Sequence, residues 1–192
     1  FFEQFRPGVM EKLGLGYHDL IKINPRLIYV SITGYGQEGP YRNKAGHDIN
    51  YISYAGLTGI TGAGEPAIPG GQIADVAAGS YMTVNACLAA LYARERTGEG
   101  QHVDVRMTDC TMPLLTLAYA KQQAEKVNFG PGEFELAGGV VNYNIYKAAD
   151  DKYMALGALE PKFWNTFCDA VEQPDWKLAA FTNDKEELKR LK

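Results

Sequence analysis

Cysteine, histidine and tryptophan are scarce in this chain of 192 residues, which has three, three and two of them. Cys87, Cys110 and Cys168 are an odd set at wide spacing. They make neither a disulfide framework nor a zinc ligand set, and they point to a reducing, cytoplasmic setting. A basic excess is also lacking. With 19 Lys and Arg against 23 Asp and Glu, the net charge is −4. That excludes the basic stripe of a nucleic-acid binder and a polybasic membrane patch. There is no HExxH, no CxxC and no EF-hand spacing, so no metal is expected. There is no GxSxG elbow and no Walker loop. The chain opens Phe1-Phe2-Glu3-Gln4, without an initiator methionine or a signal-peptide pattern. It closes on the amphipathic run Glu186–Lys192, without a helix stop signal. Both ends read as cuts, and the chain as a fragment of a longer one.

What is present is ordinary globular composition, 46% hydrophobic and 22% charged, which excludes disorder and low complexity. The uncharged stretch Val76–Ala93 has the length of a short membrane span. Ser80, Thr83, Asn85 and two tyrosines inside it favour a helix packed within a protein.

Leu27–Ile32, after Asn24-Pro25, predicts a buried strand, and Gly34–Pro40 a loop at its end. Ile49–Gly56 has helical spacing. Thr58–Gly71, with five glycines and two prolines, reads as a long loop. Asp75 stands as N-cap of a helix Val76–Arg94, closed by Thr97-Gly98-Glu99-Gly100. Gln101–Met107 alternates as a half-buried strand, and Thr108-Asp109 starts a helix that includes Pro113. Asn142–Lys147 and Tyr153–Leu156 predict a hairpin. Pro161 opens a helix with Phe163, Trp164, Phe167 and Val171 inward. Asn183 with Glu186 predicts a capping box for a last helix. Strand–helix alternation followed by a hairpin with helices gives an α/β chain of two parts, residues 1–125 and 126–192.

Of the histidines, His18 and His102 read as solvated. His47 sits at a helix entrance after a strand and loop, where ligands collect in open α/β sheets. It is a candidate base, with a structural capping histidine as the alternative. Asp75 and Asp109 are candidate acids with an N-cap reading beside the functional one. Glu160 occupies an N-cap position where Ser, Thr, Asp or Asn is preferred, a local misfit that hints at function. Composition and spacing stop at these residues and define no reaction.

The strings Arg6-Pro7-Gly8-Val9-Met10, Asn24-Pro25-Arg26-Leu27-Ile28-Tyr29, Gly34-Tyr35-Gly36-Gln37 and Thr97-Gly98-Glu99-Gly100-Gln101-His102-Val103-Asp104-Val105 resemble the family III CoA-transferases (the CaiB/BaiF-like superfamily). That family includes the α-methylacyl-CoA racemases. Gly46-His47-Asp48-Ile49-Asn50-Tyr51 is similar to the racemase segment with the catalytic histidine. Gly157-Ala158-Leu159-Glu160-Pro161 is similar to the segment whose glutamate pairs with it. Asp75 matches the racemases' second acid/base, and Asp109 the aspartate that transferases acylate. Ala137 departs from the racemase pattern, which has an aspartate there.

The resemblance implies a Rossmann-like large domain, incomplete here, with a smaller α+β domain, and an interlocked homodimer. It implies an acyl-CoA racemase or epimerase with His47, Asp75 and Glu160 as catalytic residues. It further implies contacts to the acyl-CoA thioester from Arg6, Gly46, Asp48 and Tyr51, and no cofactor beyond the coenzyme A of the substrate. For Arg6 a surface arginine at a turn is the plainer alternative. Enolate stabilisation is expected from backbone N–H groups near Asp48. Two readings stand beside it: a CoA-transferase with Asp109 as nucleophile, and a non-catalytic piece.

Overall fold

The computed structural model of the protein describes residues 1–182 and 184–191. Its contacts divide the chain into two compact units. One comprises Phe1–Leu57 with Pro69–Tyr119, the other Thr58–Ile68 with Ala120–Lys192.

The first unit is built on a three-stranded parallel sheet in the order β1-β2-β3. β1 (Phe2–Glu3) is followed by two short helices, α1 (Val9–Lys12) and α2 (Tyr17–Ile23). β2 (Ile28–Thr33) is the expected buried strand, and Tyr29 and Val30 are among its least accessible residues. After the Gly34–Pro40 loop comes α3 (Asp48–Tyr54); the turn α4 (Leu57–Ile60) starts at the last residue of this stretch and continues into the second unit. Parallel pairing requires a long crossover. Here it passes through α3 and a long helix to β3 (Gln101–Arg106), with Val30 opposite Val103.

The long crossover helix begins differently from expectation. Residues Ile73–Tyr81 form a π-helix, continued by α5 (Met82–Thr97). Asp75 is therefore not an N-cap: Gln72 holds that position and Asp75 lies in the first turn. A run of small residues, Ala74, Ala77, Ala78 and Gly79, removes the bulk that would resist such widening. Met107 fills the space, and its Sδ lies 3.1 Å from where a Cβ on Gly79 would be. Gly98 closes α5 at φ 79, a conformation glycine adopts without penalty.

Met82, Cys87, Ala90 and Leu91 pack on Ile28, Val30 and Val105 of the sheet. The expectation of an enclosed helix is met on this face alone. Tyr81, Val84, Leu88 and Tyr92, on the opposite side, are exposed. The helix Ile73–Thr97 is long and apolar enough to cross a membrane by length and composition. Burial of its other side on a sheet is what the core helix of a globular unit shows.

Beyond β3, α6 (Met107–Thr111) has Arg106 as N-cap, so Asp109 is not the cap but the third helical residue. A 3₁₀ turn at Met112–Leu115 accommodates Pro113, and α7 (Thr116–Glu125) follows.

In the second unit, β4 (Tyr143–Lys147) and β5 (Tyr153–Gly157) form the expected antiparallel hairpin. Part of the presumed long loop is ordered, since Gly62 bridges Pro66 and the Gly132 N–H donates to the Ile60 carbonyl at 3.1 Å. α8 (Pro161–Ala170) buries Trp164 and Cys168, with Phe167 partly covered. Phe163 and Val171 point outward instead of inward. The i, i+4 pair Trp164 and Cys168 defines the inner stripe, and Trp164 Nε1 donates to the Trp176 carbonyl at 3.0 Å. The expected capping box at Asn183 and Glu186 involves Asn183, which lies outside the described residues. Asp184 caps α9 (Lys185–Leu191): its Oδ1 accepts the Glu186 and Glu187 N–H groups at 2.9 and 3.2 Å.

Truncation of the second unit's largest buried side chain tests this core. Trp164→Ala is expected to cost about 3–5 kcal/mol, read as a lower urea midpoint. Phe163→Ala, on the outer side of the same helix, is expected to stay within about 1 kcal/mol.

Candidate active site

At the carboxyl end of β2 the first unit contains a cavity of about 700 Å³. Ligands in parallel α/β sheets gather at that end of the strands. The sheet contributes Ile32, Thr33 and Gly34, and the segment after β1 contributes Arg6. His47, Asn50, Tyr51, Asp75 and Ser80 complete the working surface.

One ring organises the entrance. The Tyr51 side chain lies where a Cβ on Gly34 would fall, and 2.7 Å from a Cβ placed on Gly46. Only glycine at both positions leaves the ring its slot. Its hydroxyl donates to the Gly46 carbonyl at 2.6 Å, which holds the residue before His47. His47 is extended (φ −128, ψ 175) and serves as N-cap of α3. Its N–H donates to Asn50 Oδ1 at 3.0 Å. The capping reading of His47 is thus correct for its backbone, and the imidazole still lines the cavity.

A second link fixes the acid. Asp48 Oδ1 accepts the Asp75 backbone N–H at 2.9 Å. Ser80 Oγ donates to the Asp75 carbonyl at 3.0 Å, inside the π-helix. π-turns are frequent at functional sites. Burial and the neighbouring Asp48 carboxylate raise the Asp75 pKa, while His47 pulls it down. Burial also raises Tyr51, helped by Tyr35 and Asp75 and opposed by Arg6.

His47, Asp75, Arg6, Gly46 and Tyr51 therefore share one cavity, and Asp48 is bonded to its wall. Two candidates stand elsewhere. Asp109 is outside the lining, its side chain 60% exposed and 3.9 Å from Arg106 Nη1. Arg106 is engaged more closely by Asp104, at 2.9 Å. Glu160 belongs to the second unit. It is exposed, N-caps α8 through its backbone, and makes no side-chain capping bond. Asn142, buried on that unit's hairpin side, donates from Nδ2 to the Ala158 carbonyl at 3.2 Å and so anchors the chain just before Glu160.

Sequence reasoning overlooked Arg42 and Lys44, which also line the cavity. The available signal was a pair of cations immediately ahead of the candidate histidine. His102 is exposed, as the solvated reading has it, and it also makes contacts that sequence does not announce. Its imidazole stacks on Tyr17 at 5.1 Å, and Nε2 lies 2.9 Å from Ser31 Oγ. Burial in that cluster lowers its pKa. Among the described residues no group of His, Cys, Asp and Glu is placed to hold a metal ion.

A parallel sheet with a cavity at its carboxyl end, lined by His47 and Asp75, defines an α/β fold, and comparison with known proteins identifies its family. The model of CoA-transferase family III matches residues 1–191, and the chain belongs to that family. It is 42% identical to human α-methylacyl-CoA racemase over 164 residues, 84% of this chain and 43% of the racemase. It is 46% identical to the acetyl-CoA:oxalate CoA-transferase of Acetobacter aceti over 182 residues, 90% of this chain and 44% of that protein. Among solved structures it resembles Rv3272 of M. tuberculosis, with a TM-score of 0.76 and 31% identity, over 99% of this chain and 52% of that one. A CaiB/BaiF family protein of Brucella suis gives a TM-score of 0.71 at 27% identity, over 99% of this chain and 56% of that one. The chain thus spans about half the length of the relatives it matches.

The raised Asp75 pKa has a stability consequence with a definite sign. An acid whose pKa is higher folded than unfolded holds its proton longer in the native state. The fold therefore loses stability as pH rises through that interval. Asp75→Asn is expected to stabilise the protein at pH 7 and to have no such effect below the ordinary value of 3.8. Urea denaturation of both proteins at acid and neutral pH checks this.

Proposed function

We propose that the protein to which this chain belongs is an acyl-CoA racemase or epimerase that inverts the carbon next to a CoA thioester. The observation that carries this reading is that His47 and Asp75 line one cavity, where burial and Asp48 raise the Asp75 pKa. Inversion needs a base to take the α-proton and an acid to return one on the opposite face. An imidazole and a carboxyl group on one cavity can take those two roles. The names of the racemase relatives support the same reading.

In this mechanism His47 removes the α-proton and Asp75 delivers one to the other face, or the reverse for the opposite enantiomer. Glu160 is the third catalytic residue of this proposal, a carboxylate that works with the histidine in the complete protein. The enolate between the two steps was expected to draw on the helix start near Asp48. α3 has only seven residues, and the N–H groups of Asn50 and Tyr51 already donate to the His47 carbonyl at 2.8 and 3.3 Å. The positive lining contributed by Arg6, Arg42 and Lys44 is the stronger source of stabilisation. Arg6, Gly46, Asp48 and Tyr51 position the thioester. A Rossmann-like large domain, a homodimer and a cytoplasmic location belong to the same proposal.

A second reading rests on Asp109. Its exposed carboxylate and the transferase names among the relatives favour acyl transfer through an anhydride. The two reactions separate cleanly in deuterated water. A racemase exchanges the α-hydrogen of an α-methylacyl-CoA and destroys its optical purity without an acceptor acid. CoA movement only on addition of an acceptor, without exchange, would overturn the proposal.

Variants sharpen the choice. His47→Ala and Asp75→Asn are each expected to lower kcat about 10²–10⁴-fold. Glu160→Gln is expected to lower kcat more than it raises KM. Asp109→Asn removes a charge from the first turn of α6, which is worth about 0.3–1 kcal/mol of stability, and leaves most racemase activity. Loss of all activity in Asp109→Asn, with a hydroxylamine-trapped adduct at Asp109 in the parent protein, would establish the transferase.

A further inference from the structure

The helix segment that carries Asp75 is a π-helix over nine residues, Ile73–Tyr81. π-helices are closed by i→i+5 bonds and occur mostly as single turns, so a run of this length needs support. In this register the carbonyl facing residue 80 is that of Asp75; in an α-helix it would be that of Val76. Ser80 Oγ donates to the Asp75 carbonyl at 3.0 Å. A serine hydroxyl in an α-helix reaches back three or four residues, here to Ala77 or Val76. The Ser80 bond to Asp75 therefore belongs to the π register and favours it over the α register.

The nitrogen end of Asp75 is held independently. Asp75 is the third residue after the N-cap Gln72, so its N–H is one of those a helix leaves without an internal partner. Asp48 Oδ1, from α3, accepts it at 2.9 Å. Asp75 is thus pinned at both ends of its backbone, by Asp48 from another element and by Ser80 from the next turn. Ser80 lines the same cavity and is exposed, so shortening its side chain removes little packing.

The register decides where the Asp75 side chain points. An α-helix turns about 100° per residue, and i→i+5 closure turns less. Passage of Ile73–Tyr81 from π to α bonding would swing Asp75 about the helix axis, relative to α5 and to the cavity.

We propose that Ser80 is a positioning residue, whose hydroxyl keeps this helix start in the π register through the Asp75 carbonyl and so keeps the Asp75 carboxyl group on the cavity that His47 lines. The proposal rests on the acid and base roles given to Asp75 and His47 above, and deepens them. Ser80 transfers no proton and acts through Asp75. Asp48 and His47 set the charge around Asp75, Tyr51 interacts with it from α3, and Arg6, Arg42 and Lys44 share the cavity. Ser80→Ala changes none of these groups, so an altered titration of Asp75 reports an altered position.

Two measurements on the complete protein test this. In the first, carbon NMR follows the labelled Asp75 carboxyl group against pH, its signal assigned by its loss in Asp75→Asn. Ser80→Ala is expected to lower the midpoint towards the ordinary value of 3.8. Ser80→Thr, which keeps the hydroxyl, is expected to restore it. An unchanged midpoint in Ser80→Ala overturns the proposal.

In the second, each enantiomer of an α-methylacyl-CoA is incubated in deuterated water. Ser80→Ala is expected to slow inversion about tenfold, the scale of one hydrogen bond, with KM little changed, and Ser80→Thr to recover most of it. His47 keeps its place in Ser80→Ala. It still takes the α-proton of the enantiomer that presents it, passes that proton to water and returns a deuteron to the same face. Exchange with retention is therefore expected to continue for that enantiomer while inversion fails. Equal loss of inversion and of exchange from both enantiomers would overturn the proposal, since Ser80 would then support the cavity as a whole. A parent protein that neither exchanges nor inverts overturns the racemase reading instead. The titration needs no substrate and still decides whether Ser80 holds Asp75.

Discussion

The Tyr51 ring, wedged between two glycines, is the contact on which the candidate site depends. It occupies the space a side chain at Gly34 or Gly46 would take, and its hydroxyl holds the Gly46 carbonyl. One residue thereby joins the end of β2, the segment entering His47 and the first turn of α3. The bond from Asp48 to the Asp75 N–H extends the assembly to the π-helix. An acid and a base supplied by different elements face one cavity because these two links fix their backbones. Close-packed interiors transmit such constraints, since neighbours cannot yield independently.

The electrostatics of the cavity follow from the same packing. Asp75 is partly withdrawn from water and set beside Asp48, and both effects resist its ionisation. The cations come from segments on either side: Arg6 after β1, and Arg42 and Lys44 before His47. A carboxyl group with a raised pKa and several cations thus line the same cavity.

The exposed side of the long crossover helix has a different origin. Tyr81, Val84, Leu88 and Tyr92 are apolar and uncovered, while the opposite side is packed on β2 and β3. Large exposed apolar patches mark interaction surfaces, and the chain spans about half the length of its relatives. In the second unit the α8 stripe of Trp164 and Cys168 makes a compact core with the hairpin. The buried Asn142 on that hairpin steadies the residues leading to Glu160.

Much of this was legible from sequence because it is local. β2 and β3 were marked by an apolar run and by alternation, the hairpin by two short strands around a polar turn, and α8 by Pro161. His47, Asp75 and Arg6 were singled out, and they share one cavity. The features that sequence misassigned are those decided by contacts between distant residues. Asp75 and Asp109 look like N-caps, yet a run of small residues packing on Met107 moves the helix start to Ile73, and the β3 end makes Arg106 the cap. Of the four residues expected inward on α8, Trp164 is buried and Phe167 partly so, while Cys168 takes the place of Phe163 and Val171; the Trp164 N–H is satisfied by the Trp176 carbonyl. His102 stays exposed as read, but its ring also packs with Tyr17 and Tyr29, contacts that no local pattern announces. Arg42 and Lys44 carry no periodicity or cap signal, and only the folding of their loop over the sheet end brings them to the cavity. Sequence by itself determined the elements and the candidate chemistry, since periodicity, turn residues and motif spacing are properties of neighbours along the chain. Tertiary structure decided which side chains share one space and how burial shifts their protons, since distance and desolvation arise only when remote segments meet.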